Sequence, residues 1–143
     1  MTEPRIVVAS TRREREDAVS VRIAVFVVEQ GIPREEEIDE HDDTAIHCVG
    51  YVDDTPVAAG RLVIGDVFGK VGRMAVLPSY RSRGLGRLVL DALEREAASH
   101  GIPLLKLSAQ IRARRFYDRA GYTPVGDIYD EVGIPHIAME KRL

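Results

Sequence analysis

The densest chemistry in the chain lies in Arg81-Ser82-Arg83-Gly84-Leu85-Gly86-Arg87. Pro78 has no amide donor, so the strand ahead of this stretch stops there. Leu85, Leu88, Val89, Ala92 and Leu93 recur at helical spacing, which starts a helix near Gly84. The first amides of a helix lack intrahelical acceptors and carry the positive end of its dipole. Gly84 and Gly86 put no Cβ in front of them, and Arg81 and Arg83 stand just ahead, a combination suited to a phosphate or pyrophosphate. A Walker loop needs a lysine and a hydroxyl after its second glycine; Gly86 is followed by Arg87 and Leu88, which excludes it. A dinucleotide fingerprint needs a third glycine where Val89 stands. Two readings are left: Arg-x-x-Gly-x-Gly after a strand, or a plain strand-to-helix turn whose glycines serve packing.

Charge is unevenly distributed. The net charge of -3 argues against a general nucleic-acid binder, which needs a broad basic surface. Negative charge gathers in the run from Glu35 to Asp43, and positive charge around Arg81 to Arg87 and Arg112 to Arg115. Such a chain could hold an anionic cofactor in one place and a cationic substrate in another, although charge runs are commonly solvated faces. Glu40-His41-Asp42 has no second histidine nearby, so no metal site is expected. The single cysteine, Cys48, sits in an apolar run and reads as a small buried hydrophobe. No apolar run approaches the roughly 20 residues that span a bilayer. The opening Met1-Thr-Glu-Pro-Arg shows no apolar leader, so a cytoplasmic protein is expected.

At 143 residues, 45% hydrophobic and 30% charged, the chain is expected to form one domain over residues 1–143. A strand over 5–9 is followed by a helix capped at Ser10 or Thr11, with Glu14 as its capping-box partner. That helix is expected to run to Val27 or Val28, burying Ala18, Val21, Val25 and Val28. After the acidic loop or short helix come strands over 45–52, 56–64 and 70–77, an antiparallel meander. The glycine-loop helix ends at Gly101, and the strand over 104–109 returns parallel through that crossover. A helix over 111–120 ends at Gly121, and strands over 122–125 and 135–141 flank an acidic turn over 127–133. The fold class is α/β with a mixed sheet: a meander, then a parallel crossover.

This order, with its glycine loop after the third meander strand, resembles the GNAT superfamily of N-acetyltransferases over about residues 5 to 142. The stretch from Ala113 through Phe116-Tyr117 to Gly121-Tyr122 is similar to that family's second local motif, with Gln110 where the family usually has asparagine. Val25-Phe-Val-Val-Glu29-Gln30, Gly60-Arg61, Gly72-Arg73 and Gly133-Ile-Pro-His136 are similar to its small prokaryotic ElaA-like and YjcF-like branch. The resemblance implies central strands that splay apart and transfer of an acetyl group from acetyl-CoA to a small amine or lysine side chain. It leaves a homodimer open, while spacing, charge and run length in the chain itself give no metal, nucleic-acid or membrane partner. Arg81, Ser82, Arg83, Gly84, Leu85, Gly86 and Arg87 would hold the CoA pyrophosphate. Met74, Ala75 and Val76 would meet the pantetheine arm, with a bulge near Met74-Ala75 supplying an oxyanion amide. Gln110, Ala113, Phe116 and Tyr117 would complete the cofactor site. Tyr117, with a phenol pKa of ~10 against ~8.5 for a thiol, would hydrogen-bond the departing thiolate. For the base, the residues leave Glu29, Glu37, Asp39, His41 and His136 open, with Glu29 and His136 carried forward. Arg61 and Arg73, unusual inside strands, would contact an anionic part of the acceptor or pair with acidic neighbours. A non-catalytic acyl-CoA-binding module and a nucleotide or phosphate binder are the competing readings.

Overall fold

The computed structural model describes residues 3–143. Met1 and Thr2, which open the stretch read as having no apolar leader, lie outside the described residues. In chain order the elements are β1 (Arg5–Val8), α1 (Arg12–Arg22), α2 (Arg34–Glu37), β2 (Ile46–Val52), β3 (Thr55–Ile64) and β4 (Gly69–Val76). After them come α3 (Leu85–Ser99), β5 (Leu104–Gln110), α4 (Arg114–Arg119), β6 (Thr123–Glu131) and β7 (Ile134–Arg142). The strands make one seven-stranded sheet in the order β1-β2-β3-β4-β5-β7-β6. Neighbours are antiparallel except β4 and β5, which are parallel through the α3 crossover, as the element order implies.

Thr11 caps α1. Its hydroxyl accepts the Glu14 amide at 3.1 Å, and Glu14 accepts the Thr11 amide at 3.2 Å. Past Arg22 the helix widens into a π-helical stretch, Ile23–Glu29, closed by the Gln30 amide on the Val25 carbonyl at 3.0 Å. Ala18, Val21 and Val25 are buried as expected, but Val28 is 77% exposed. A π turn holds more residues than an α turn, so Val28 no longer comes round to the face of Val25. α1 packs its stripe on Val49, Tyr51, Ala59 and Ala75. On the other face, α3 buries Leu85, Val89, Leu90, Leu93 and Ala97 against Leu62, Val71, Leu105 and Leu107. Leu88, placed in that stripe by its spacing, is 40% exposed, and Leu90 is fully buried.

The last two strands run longer than expected. Residues 127–131, read as a turn, belong to β6, and the turn itself is Val132-Gly133, with φ of 47° and 77°. Two consecutive positive φ values are what a tight two-residue hairpin needs. β6 is exposed along its whole length. A strand with no buried face shows no alternation, so its acidic residues resemble a loop.

The sheet opens in the middle. β4 and β5 pair only at Gly69 with Leu105 and Lys70 with Lys106. Beyond that, β4 stays with β3 to Val76 and β5 stays with β7 to Gln110. A bulge interrupts β4 inside this wedge: Ala59 pairs with Ala75 and Arg61 with Gly72, so Gly60 alone faces Arg73 and Met74. The bulge therefore sits one residue before the expected place, with Arg73 in the left-handed region at φ 55°. Gly60 is required there, because a Cβ would lie 2.7 Å from the Met74 sulfur and 2.9 Å from Leu93 and Val89 carbons.

Candidate active site

Gly84 caps α3 at φ 81°, and no side chain bonds the first amides of the helix. Ser82 is also left-handed, at φ 64°. A Cβ on Gly84 would meet nothing within 4 Å, whereas one on Gly86 would touch the Phe116 ring at 3.4 Å. In front of these residues lies a cavity of about 430 Å³, bounded by Arg81, Ser82, Gly84, Leu85, Gly86 and Arg87 on one side. Val76 of β4 and Phe116 of α4 bound it on the other. Free helix amides and a shaped space in front of them fit an anionic group such as a diphosphate.

Arg81 departs from expectation. Its Nε donates to the Val76 carbonyl at 2.9 Å, and Nη1 and Nη2 grip Glu29 at 2.8 and 2.6 Å. The guanidinium expected to face phosphate is turned to the open edge of β4, leaving Arg83 and Arg87 as the loop's other cations. Arg83 lies over the Tyr80 ring at 5.1 Å, and Arg87 pairs with Asp91 at 3.0 Å. The hydrogen bond from Arg81 holds the Glu29 carboxyl below its ordinary range, outweighing the opposing effect of burial. Glu29 is thus a weaker base than a free carboxylate.

Leu77 donates its amide to Val57 at 2.9 Å, so strand alternation turns Val76 outward into the wedge and Ala75 inward to β3. Ala75, expected along the pantetheine, has its backbone committed to Ala59. Met74 belongs to the bulge.

Tyr117 on α4 is 8% exposed and packs edge-on between Phe116 and Tyr122, with centroids at 5.0 and 5.8 Å. Among the described residues its hydroxyl has no hydrogen-bond partner. Burial pushes the phenol pKa upward, so the group stays protonated and available as a donor. Ala113 is the residue from which α4 starts. The Gln110 side chain donates to Gln30 at 2.9 Å and accepts from Arg112 at 3.2 Å. It ties the end of the π-helical stretch to the tip of β5.

His136 of β7 is the cross-strand neighbour of Gln110 and of Tyr129. It is 5% exposed and stacks on Tyr129 at 6.1 Å. Its Nδ1 donates to the Ile134 carbonyl at 2.7 Å, which points Nε2 at Glu131, 3.5 Å away. The structure thus brings the loop, Val76 and Phe116 around one cavity, with Tyr117 packed in the core against Phe116, and makes Gln110 and His136 neighbours across β5 and β7.

The acidic run has a different partner from the one expected. Arg22, fully buried, is bonded to Glu37 at 2.7 Å and to Asp42 at 2.7 Å. Arg61 bonds Asp39 and Asp42 at 2.7 and 3.0 Å, and Arg73 bonds Glu37 and Asp39, each at 3.1 Å. Of the two roles open to Arg61 and Arg73, the structure chooses pairing with acids. Burial raises the carboxyl pKa values of Asp39 and Asp42, but bonds from these arginines outweigh it and hold both below their ordinary range. Asp39 is therefore a weaker base than a free carboxylate, and Glu37 is engaged by both Arg22 and Arg73. Arg22 escaped the sequence reading because it follows Arg12-Arg13-Glu14-Arg15-Glu16-Asp17, which looks like one solvated face. The signal available was its spacing: Arg22 lies four residues after the buried Ala18.

The other candidates fall outside the site. Cys48 is fully buried, which pushes its thiol up to about 12. His47 is buried and bonded to the Asp42 carbonyl at 2.9 Å, and His41 is exposed. Among the described residues no group of acids, histidines or cysteines could hold a metal, and no helix is long and apolar enough to cross a membrane.

Comparison with known proteins gives the same outline. Residues 13–143 match the family model described as "Acetyltransferase (GNAT) domain". The uncharacterized N-acetyltransferase YjcF of Bacillus subtilis (strain 168) is 42% identical over 136 residues, 94% of this chain and 97% of that protein. The crystal structure of Escherichia coli ElaA superposes with a TM-score of 0.84 at 29% identity, covering 99% of each chain. An aminoglycoside 6'-N-acetyltransferase complexed with coenzyme A shares the fold, at a TM-score of 0.76, 15% identity and 96% of each chain. With the family match running over residues 13–143 and a relative 42% identical along almost its whole length, the chain belongs to the GNAT family of N-acetyltransferases.

Proposed function

We propose that this protein moves the acetyl group of acetyl-CoA to a primary amine by direct attack in a ternary complex. One observation carries the reading: the uncapped amides of α3 open into a cavity that also reaches Val76, on the unpaired edge of β4, and Phe116, next to Tyr117. The loop amides hold the diphosphate, with Arg83 and Arg87 supplying charge. Val76, its carbonyl held by Arg81, offers its amide to the peptide-like pantetheine arm, as a sheet edge does to an added strand. A bulge leaves its extra residue out of the ladder, so an amide of Arg73-Met74 is free to polarise the thioester carbonyl.

The acceptor enters from the His136 side. An alkyl ammonium has a pKa of ~10.4 and must lose a proton before attack. In this reading His136 takes it at Nε2, supported by an Nδ1–H fixed on Ile134 and by Glu131 lying 3.5 Å from Nε2. Glu29 is the second choice, being tied to Arg81. As the carbon–nitrogen bond forms and the carbon–sulfur bond breaks, the electron pair goes to sulfur, where the Tyr117 hydroxyl donates a hydrogen bond. Calorimetry with CoA, acetyl-CoA and ATP should show selectivity for the CoA forms; ATP bound equally well overturns the reading. A panel of amines, polyamines, amino sugars and peptides, followed by thiol release, identifies the acceptor. Tyr117→Phe should lower turnover by about tenfold or more while leaving acetyl-CoA affinity nearly unchanged; full activity would remove Tyr117 from the reaction.

A further inference from the structure

We propose that Arg73 is a positioning residue, strapped into its left-handed conformation by the acidic segment so that the β4 bulge presents its free amide to the thioester. This rests on the acetyl-transfer reading above. A side chain at φ 55° is strained by its own Cβ, and nothing in the local sequence favours that conformation at Arg73. What holds it is at the far end of the side chain. Nε donates to the Glu37 carbonyl at 3.1 Å, and Nη2 donates to the Glu36 carbonyl at 3.3 Å and to Asp39 Oδ2 at 3.1 Å. Nε also lies 3.1 Å from the Glu37 carboxylate.

The strap is anchored on both sides of the bulge. Asp39 is gripped at the same time by Arg61 at 2.7 and 3.1 Å, and Arg61 is the β3 partner of Gly72, the residue before Arg73. One carboxylate therefore pins both strands where their register shifts. Glu37 is 2% exposed and fixed in turn by the fully buried Arg22, whose other arm holds Asp42. Arg22, Arg61 and Arg73 with Glu37, Asp39 and Asp42 form a closed lattice. The conformation of one residue beside the proposed reacting carbonyl is thereby tied to α1, to the acidic segment and to β3. This explains why an acidic run from Glu35 to Asp43 faces two arginines set within strands.

The test reads the polarisation of the carbonyl directly and needs no acceptor. Infrared difference spectra of carbonyl-labelled acetyl-CoA bound to the full chain should show the thioester band displaced from its free position. In Arg73→Ala, which keeps the Cβ and loses the strap, the band should return to the free position while the dissociation constant moves by no more than about threefold. Arg73→Gly loses the strap but also the steric penalty, so its band should fall between the two. Asp39→Asn, altered at the distant end, should move the band part of the way, and it supplies the answer if Arg73→Ala does not fold. Misplacing the amide by ~1 Å corresponds to a loss of turnover on the order of a hundredfold. A wild-type band in Arg73→Ala or Asp39→Asn overturns the proposal, and so does an Arg73→Gly band no closer to wild type than that of Arg73→Ala. A wild-type protein that binds acetyl-CoA without displacing the band also overturns it. One that fails to bind acetyl-CoA overturns the underlying acetyl-transfer reading instead.

Discussion

Two sets of arginines in this molecule meet opposite fates. Arg22, Arg61 and Arg73 lie against the acidic segment, where Glu37, Asp39 and Asp42 satisfy them at 2.7 to 3.1 Å. Arg81, Arg83 and Arg87 lie on an exposed loop in front of helix amides that no side chain caps. The first set has its countercharge built in, and its work is to fix backbone. In the second set Arg81 and Arg87 meet only the partly exposed Glu29 and Asp91, Arg83 meets no carboxylate and the α3 amides have no side-chain cap, which leaves positive potential for an anionic ligand. Charge runs read alone do not distinguish the two; the number of carboxylates brought within reach does.

The largest expected effect is on the buried set. Arg22→Leu removes the buried cation shared by Glu37 and Asp42, leaving them only Arg73 and Arg61, and breaking such a buried pair costs about 3–5 kcal/mol. Against a total stability of about 5–15 kcal/mol, chemical denaturation should show a large loss. A loss below 1 kcal/mol would mean the lattice is no firmer than a surface pair, and the contrast would fail. The next effect belongs to the loop. Gly84→Asp adds a Cβ where no atom outside its own chain neighbours lies within 4 Å, carrying a carboxylate beside the loop, and asparagine and aspartate tolerate its positive φ better than most residues. Two unit charges about 6 Å apart at an effective dielectric of about 20 repel by about 3 kcal/mol. Calorimetry should therefore find acetyl-CoA affinity lowered more than a hundredfold with the unfolding transition little changed.

The loop set was legible in the sequence because glycines, arginines and the leucine-valine stripe of α3 all point to one helix start. The meander and crossover were legible too: β2 and β3 bury continuous runs, and β5 buries every second residue. The buried set was not. Its countercharges come from residues 15 to 36 positions away, as with Arg22 to Glu37 and Arg73 to Glu37, and no local pattern encodes such a distance. The π-helical stretch was hidden too, since Ile23–Glu29 holds no glycine or proline to mark a change of helical pitch. Gln110 and His136 could be named as candidates, but only the register of β5 against β7 makes them neighbours.

A smaller effect should appear with pH. Asp39 and Asp42 have carboxyl pKa values held below their ordinary range in the fold. The unfolded chain therefore binds more protons than the native one in the acid range, and stability rises with pH there. The contribution is complete above the unfolded carboxylate pKa of ~3.9 and is lost as pH falls through the depressed native values. Denaturation midpoints measured from neutral to acid pH should decline below about pH 4, and Asp42→Asn should flatten that decline. An unchanged slope in Asp42→Asn would place the acid sensitivity elsewhere in the chain.

The smallest effect tests the residue that straddles the two sets. Arg81 sits in the phosphate loop by sequence, yet it bonds Glu29 and the Val76 carbonyl as the buried arginines bond their acids. Its side chain is 40% exposed and that of Glu29 is 32% exposed, so solvent screens the pair. Arg81→Gln should lower stability by less than about 1 kcal/mol. It should also change acetyl-CoA affinity by less than about tenfold, because all of its bonding nitrogens are already used at the edge of β4. A loss beyond tenfold, with a weaker salt dependence of binding, would show that Arg81 leaves Glu29 for the diphosphate when the ligand arrives. Glu29 would then be free beside Gln30 and the tip of β5, and it would displace His136 as the better base.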